Sequence, residues 1–313
     1  MPAADAIKQR ALELGFDLVG MTHAGPIGHD HLCHLKAWLE AGYAGSMSYM
    51  QRNLEKRTHP AALLKGAQSV IVVGLNYKVA TLAPEDAGPA YGQVTHYACY
   101  EDYHDFVKRR LFRLADYILG HSPTAPGFKV CVDSVPLAER SLAVRAGLGF
   151  IGKNHMLTHP AWGQEILLGE IITTLPLACD APCADACAQC QRCITACPTG
   201  ALRSDGQLDA SRCINYLTIE HKLDISPALA AKIGSRVYGC DACVAACPWQ
   251  TKAPSCQNHD FRYYPERQLL DLRDCLDWDE STFQQRFKES PVLRIGLAQL
   301  QKNARICLEN LMH

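Results

Sequence analysis

The segment Cys187-Ala-Gln-Cys190-Gln-Arg-Cys193-Ile-Thr-Ala-Cys197-Pro198 is a C-x2-C-x2-C-x3-C-P run, the spacing that holds bacterial-ferredoxin iron–sulfur clusters. Three closely spaced thiolates can each take a different iron of one cubane. The fourth cysteine is displaced and serves a second cluster. A second run, Cys240-Asp-Ala-Cys243-Val-Ala-Ala-Cys247-Pro248, repeats the pattern with Val237 in place of its first cysteine. Cys213, between the runs, is the best substitute. The spacing thus assigns Cys187, Cys190, Cys193 and Cys247 to one [4Fe-4S] cluster, and Cys213, Cys240, Cys243 and Cys197 to the other. Zinc is the competing metal, but closed four-cysteine zinc sites usually use two separated pairs rather than a triplet.

Ten of the 16 cysteines fall between Cys179 and Cys247. No apolar leader precedes them, so the density reads as metal binding rather than as a disulfide framework. Cys179 and Cys183 stand just outside the register, with Cys183 an alternative to Cys187. Cys33, Cys99, Cys131, Cys256, Cys275 and Cys307 are isolated and read as buried structural thiols.

Asp133 is the second candidate for chemistry. It ends the apolar stretch Phe128-Lys-Val-Cys-Val-Asp133, where side chains project into clefts. Partial desolvation there raises a carboxyl's pKa and suits it to act as an acid. The competing role is a helix N-cap at Asp133 or Ser134. Gly147-Leu-Gly149-Phe-Ile-Gly152 matches G-x-G-x-x-G, but it follows a helix rather than a strand, so it is not read as a dinucleotide site. These glycines mark a close backbone approach instead.

The elements that position these residues follow from periodicity. Helices are predicted over Ala3–Leu14, His34–Ala41, Tyr103–Leu119, Leu137–Ala146 and Arg294–Leu311. Strands are predicted over Ser69–Tyr77, Phe128–Asp133 and within Glu165–Leu177. Lys108, Arg109, Arg110 and Arg113 crowd one helix, as a solvated face or a phosphate-holding patch. Composition changes at Leu177. This predicts an α+β body over 1–177, a ferredoxin-like module over 178–252, and a C-terminal helical segment over 253–313 that packs back on the body. The 313 residues carry a formal net charge of −1, so no global basic field announces a nucleic-acid binder. RNA would need a local patch. No apolar run approaches the roughly 18 residues of a membrane span, and a soluble cytoplasmic protein is expected.

Several strings together resemble the epoxyqueuosine reductase family: Val132-Asp-Ser-Val-Pro-Leu-Ala-Glu-Arg140, Ala146-Gly-Leu-Gly-Phe-Ile-Gly-Lys-Asn154, Leu168-Gly-Glu-Ile171, Arg212-Cys-Ile-Asn-Tyr-Leu-Thr-Ile-Glu220 and Tyr238-Gly-Cys-Asp241. The resemblance runs from the first helix to the last. Many family members continue into a HEAT-like repeat, which is not found here. The resemblance implies a cobalamin enzyme related to reductive dehalogenases, with a nitroreductase-like body. Such an enzyme reduces epoxyqueuosine to queuosine at the tRNA wobble position, the last step of queuosine synthesis. Electrons pass through two clusters to give Co(I), and Asp133 is the acid. Asp102-Tyr-His104 lacks the glycine of the Asp-x-His-x-x-Gly cobalt-ligating motif, so no protein histidine is expected on cobalt. Positions matching the family, and expected at the corrin, are Arg57, Asp133, Asn154, Gln164, Tyr216 and Asp241. Lys108, Arg109 and Lys222 are candidates for holding phosphates. The partners implied are tRNA carrying epoxyqueuosine and an electron donor, with the enzyme a monomer. The rival readings are a dehalogenase-like enzyme on a small molecule and a non-catalytic electron carrier.

Overall fold

The computed structural model describes residues 4–82, 90–184 and 186–312. Among the described residues, nine strands run in chain order as β1 (Leu18–His23), β2 (Ser69–Asn76), β3 (Tyr91–Val94), β4 (Phe128–Cys131), β5 (Phe150–Ile151), β6 (Leu157–Thr158), β7 (Ile166–Thr173), β8 (Arg236–Tyr238) and β9 (Leu269–Asp271). The main sheet has the order β1-β2-β7-β4, and every neighbouring pair in it is antiparallel.

Strand β2 explains why the sheet is covered on both faces. All eight of its residues are buried, and successive side chains point to opposite faces. Ile71, Val73 and Leu75 join a core with Ile7, Leu111 and Leu114 from helices Ala4–Glu13 and Tyr103–Gly120. Val70 and Val72 join another with Leu142 and Ala143 from helix Glu139–Arg145. Each fully buried Val, Ile or Leu is worth about 1.5–3 kcal/mol, so the long apolar run forces this three-layer body.

A second sheet, β8-β3-β9, ties the chain together. Strand β3 pairs with β8 in parallel and with β9 antiparallel. The three segments set apart by composition are therefore interleaved. Val94 and Cys99 of the first, Ile214 and Val237 of the second, and Leu272 and Leu300 of the third share one core. Helix Leu297–Met312 packs on helix Pro227–Ile233 and on β8, so the C-terminal segment closes over the non-ligand part of the cysteine-rich segment.

The predicted elements recur with shifted ends. The second helix begins at His29 rather than His34 and runs to Glu40. β4 stops at Cys131, two residues before Asp133. Of the isolated cysteines, Cys99, Cys131, Cys275 and Cys307 are buried, but Cys33 is exposed. It sits one turn from His29 on a helix with no fully buried residue. In the cation-rich helix Tyr103–Gly120, Arg110 is buried. It donates to the Leu14 carbonyl at 2.9 Å and to Asp260 at 3.0 Å, with Phe106 under its guanidinium. Lys108, Arg109 and Arg113 remain exposed. The glycine string does mark close approaches: a Cβ on Gly149 would lie 2.3 Å from the Thr158 carbonyl oxygen, and one on Gly147 2.7 Å from that of Ala181.

Candidate active site and cluster sites

Seven of the eight cluster cysteines sort into two neighbourhoods. The Cys193 thiol faces Cys187 and Cys247. Cys213 faces Cys197, Cys240 faces Cys213, and Cys243 faces both Cys213 and Cys240. The second run thus exchanges its last cysteine with the first run. Short helices Arg192–Thr195 and Ala242–Ala245 pack on each other between the two groups. Val237, at the position of the missing ligand, is fully buried in β8 and serves the core. Cys179 is exposed, and the Cys183 thiol donates to the Gly147 carbonyl at 3.1 Å.

The loops around these cysteines are fastened by residues of the body and of the cysteine-rich segment itself. Lys153 Nζ donates to the carbonyls of Ala188 at 2.7 Å and Cys190 at 2.9 Å. Asn154 Nδ2 donates to the Cys243 carbonyl at 3.3 Å and to Gln164 Oε1 at 2.7 Å. Asn215 exchanges two 3.1 Å hydrogen bonds with the Cys240 backbone. Asp241 accepts from Thr95 Oγ1 at 2.5 Å and from the His96 N–H at 2.9 Å. The Tyr216 hydroxyl accepts from the Ser46 N–H at 2.8 Å and lies 3.3 Å from His221 Nδ1. Four of the six residues expected at the corrin (Asn154, Gln164, Tyr216 and Asp241) thus spend their polar atoms on the protein itself.

Arg57 and Asp133 lie elsewhere, facing each other across a second site. Arg57 donates weakly to the Tyr49 carbonyl at 3.4 Å, and its Nε is buried without a partner. The Asp133 side chain is 60% exposed. It caps no helix, because the next helix is preceded by Ala138. Its Oδ2 lies 3.2 Å from His104 Nε2, and His104 Nδ1 is 2.7 Å from Asp102 Oδ1. Asp102 is itself the N-cap of helix Tyr103–Gly120, accepting the His104 N–H at 3.0 Å. One carboxylate therefore caps the helix and orients the imidazole. Arg294, paired with Glu220 at 2.6 Å, adds positive charge toward Asp133.

The electrostatics correct one expectation. Asp133 was expected to have a raised pKa, but its hydrogen bond to His104 outweighs desolvation and holds it below the ordinary carboxylate range. For His104, burial pulls down, but the bonds to Asp102 and Asp133 prevail and lift it to about 9. At neutral pH the pair is an imidazolium and a carboxylate, sharing one proton. The Asp133 backbone is left-handed, with φ +46°, a conformation that costs of order 1–3 kcal/mol in a residue with a side chain. Its N–H donates to Glu139 Oε1 at 2.7 Å.

His104, Glu139 and Arg294 were given no site role by the sequence. For His104 the available signal was Asp102 two residues earlier, a capping carboxylate whose reach includes its neighbour's imidazole.

Two neighbourhoods of thiols on ferredoxin-like runs, packed on a mixed helix-and-sheet body, define the class: an iron–sulfur oxidoreductase. Residues 186–250 match the model of a 4Fe-4S double cluster binding domain, and residues 57–134 match that of epoxyqueuosine reductase QueG. The epoxyqueuosine reductase of Vibrio cholerae is 38% identical over 309 residues, covering 98% of this chain and 83% of the relative. The chain belongs to the epoxyqueuosine reductase family. An epoxyqueuosine reductase crystallised with an epoxyqueuosine-modified tRNA-Tyr stem loop superposes with TM-score 0.91 at 30% identity, covering 98% of this chain and 81% of that one. The Bacillus subtilis enzyme, whose catalytic aspartate loop is swung out of the active site in that structure, superposes with TM-score 0.90 at 30% identity, with the same two coverages.

Proposed function

We propose that this chain reduces epoxyqueuosine to queuosine at the wobble position of tRNA, with Asp133 handing the departing oxygen its proton. The observation that carries this reading is an exposed carboxyl held on an imidazolium in a chain of this family. The reaction consumes two electrons and two protons and releases the epoxide oxygen as water. Cys187, Cys190, Cys193 and Cys247 would hold one [4Fe-4S] cluster and Cys213, Cys240, Cys243 and Cys197 the other, and the pair would supply the electrons one at a time.

The residues fit cobalamin. A buried donor without an acceptor costs about 1–3 kcal/mol, and the Arg57 Nε beside Asp133 is such a donor, suited to an amide carbonyl on a corrin rim. Arg57 and Asp133 would touch the cofactor, whereas Asn154, Gln164, Tyr216 and Asp241 would shape its seat by fixing the loops around it, in a nitroreductase-like body. When bound, cobalamin supplies the low-potential reducing chemistry that side chains lack.

Asp102 fixes the ring of His104, and His104 supplies the proton that Asp133 passes on. Covering Asp133 with cofactor and substrate strips it of water, which disfavours its charged form and moves the shared proton toward it. The Arg294 guanidinium steadies negative charge as the C–O bond opens.

The test is an anaerobic assay with an epoxyqueuosine-containing tRNA stem loop, a chemical reductant, and protein with and without added cobalamin. Queuosine should appear, by mass spectrometry of the digested RNA, only with both. No product from protein loaded with clusters and cobalamin would overturn the assignment.

A further inference from the structure

Glu139 and Glu170 have no part in the chemistry above, and two buried carboxyls packed together are costly unless one of them keeps its proton. Glu170 lies on the central strand β7, opposite Cys131 of β4, with 0% exposure. It shares a face with Ile172, the face that helix Glu139–Arg145 covers. No backbone or other side-chain donor satisfies the Glu170 oxygens, and the polar group packed against them is the Glu139 carboxyl, to which a protonated Glu170 would donate. Glu139 opens its helix and reaches the other way, accepting the Asp133 N–H. That bond is made to the backbone of a residue in a disfavoured conformation, whose side chain is held separately by His104.

We propose that Glu139 is the latch of the catalytic loop: its carboxylate, kept charged above a neutral Glu170, holds Asp133 in the working position and lets go when it takes up a proton. The inference rests on the reading of Asp133 as the acid, and makes Glu139 a positioning residue. The groups facing Glu139 are Asp133, Arg140 and Glu170, with Arg57, Tyr103 and Cys131 around them. Burial and then the Asp133 charge raise Glu139 to about 7, while burial and Glu139 hold Glu170 well above the ordinary range. Glu170 is the more strongly raised of the two, so the pair holds one proton on the β7 side and gives up its first proton from the Glu139 side. The relative whose catalytic loop is swung out shows that such a loop can occupy a second position in this family.

Hydrogen–deuterium exchange of the cluster-loaded protein tests the latch without any turnover. After correction for intrinsic rates, protection of the amides of residues 132–135 should rise at least fivefold from pH 6 to pH 8. In Glu139→Gln, which cannot become charged, protection should stay at the low level at both pH values. In Glu170→Gln the amide donates to Glu139 and favours its charge, so the midpoint should fall by at least one pH unit. Flat protection in the unmodified protein, or Glu139→Gln indistinguishable from it, would overturn the proposal. A failed Asp133→Asn activity test alongside intact exchange results would sink the acid reading and leave the latch standing.

Discussion

The cysteine runs and the proposed acid site around Asp133 are built on opposite plans. Eight thiols sit on two short runs plus Cys213, so local spacing settles most of their geometry before the chain folds. The acid site has no such run. Asp102 and His104 come from a helix start, Asp133 from a strand exit, Glu139 from the next helix and Arg294 from the C-terminal segment. A site made by spacing tolerates little change in residue type. A site made by convergence tunes an ordinary residue through neighbours that can be removed one at a time, with graded effects.

The sharpest test of this contrast is Cys213→Ala. It should abolish turnover and remove one cluster, leaving about four of the roughly eight irons that two cubanes require. Unchanged iron content and an unchanged reduced EPR spectrum would move the ligand to Cys179 or Cys183. Asp133→Asn keeps shape but not the proton. It should retain both clusters and lower single-turnover rates about a hundredfold or more, the lower end of what a positioned acid contributes. A near-normal rate would pass the proton's origin to water.

His104→Gln should cost at least about tenfold, the lower end of what a hydrogen bond to a charged group, about 1.5–3 kcal/mol, is worth. The same pair predicts a pH limb. His104 is raised, so its proton is fully present below its ordinary range and is lost as pH rises through about 9. Turnover should fall with that midpoint, and an NMR titration should place the His104 imidazole there. In Asp102→Asn the midpoint should drop. An imidazole titrating near 6.5 in the unmodified protein would break the dyad. The smallest effect is expected from Lys108→Glu combined with Arg109→Glu. With a net charge near zero, affinity for RNA must rest on local cations. The double change should weaken stem-loop binding about threefold at 0.1 M salt and leave it unaltered at 0.5 M. Unaltered binding at both salts makes this helix a solvated face.

What the sequence made legible follows the same division. The cysteine runs, the buried run of β2 and the amphipathic helix at residues 103–120 are local patterns, and each survives with small shifts at its ends. Asp133 stood out by its place after a strand, but the sign of its pKa shift did not, because His104 is 29 positions away. Arg110 looked like its exposed neighbours and is buried by Leu14 and Asp260, which no local window contains. The pairing of β3 with β8 and β9 was equally out of reach. Four residues from 91 to 94 carry no period long enough to announce a strand, still less to name partners so distant in the chain.

That distance has a consequence during synthesis. Strand β3 leaves the ribosome long before β8, which leads directly into Cys240, and longer still before β9. At roughly 5–20 residues per second, about 10–35 s separate the first strand of this sheet from its last. For the last part of that interval, about 4–14 s at the same rate, the first cysteine run is already out while the core that closes behind the second is incomplete. Iron loading therefore competes with oxidation on a nascent chain, and slow synonymous codons between residues 200 and 270 should lower the yield of fully loaded protein without changing a single residue.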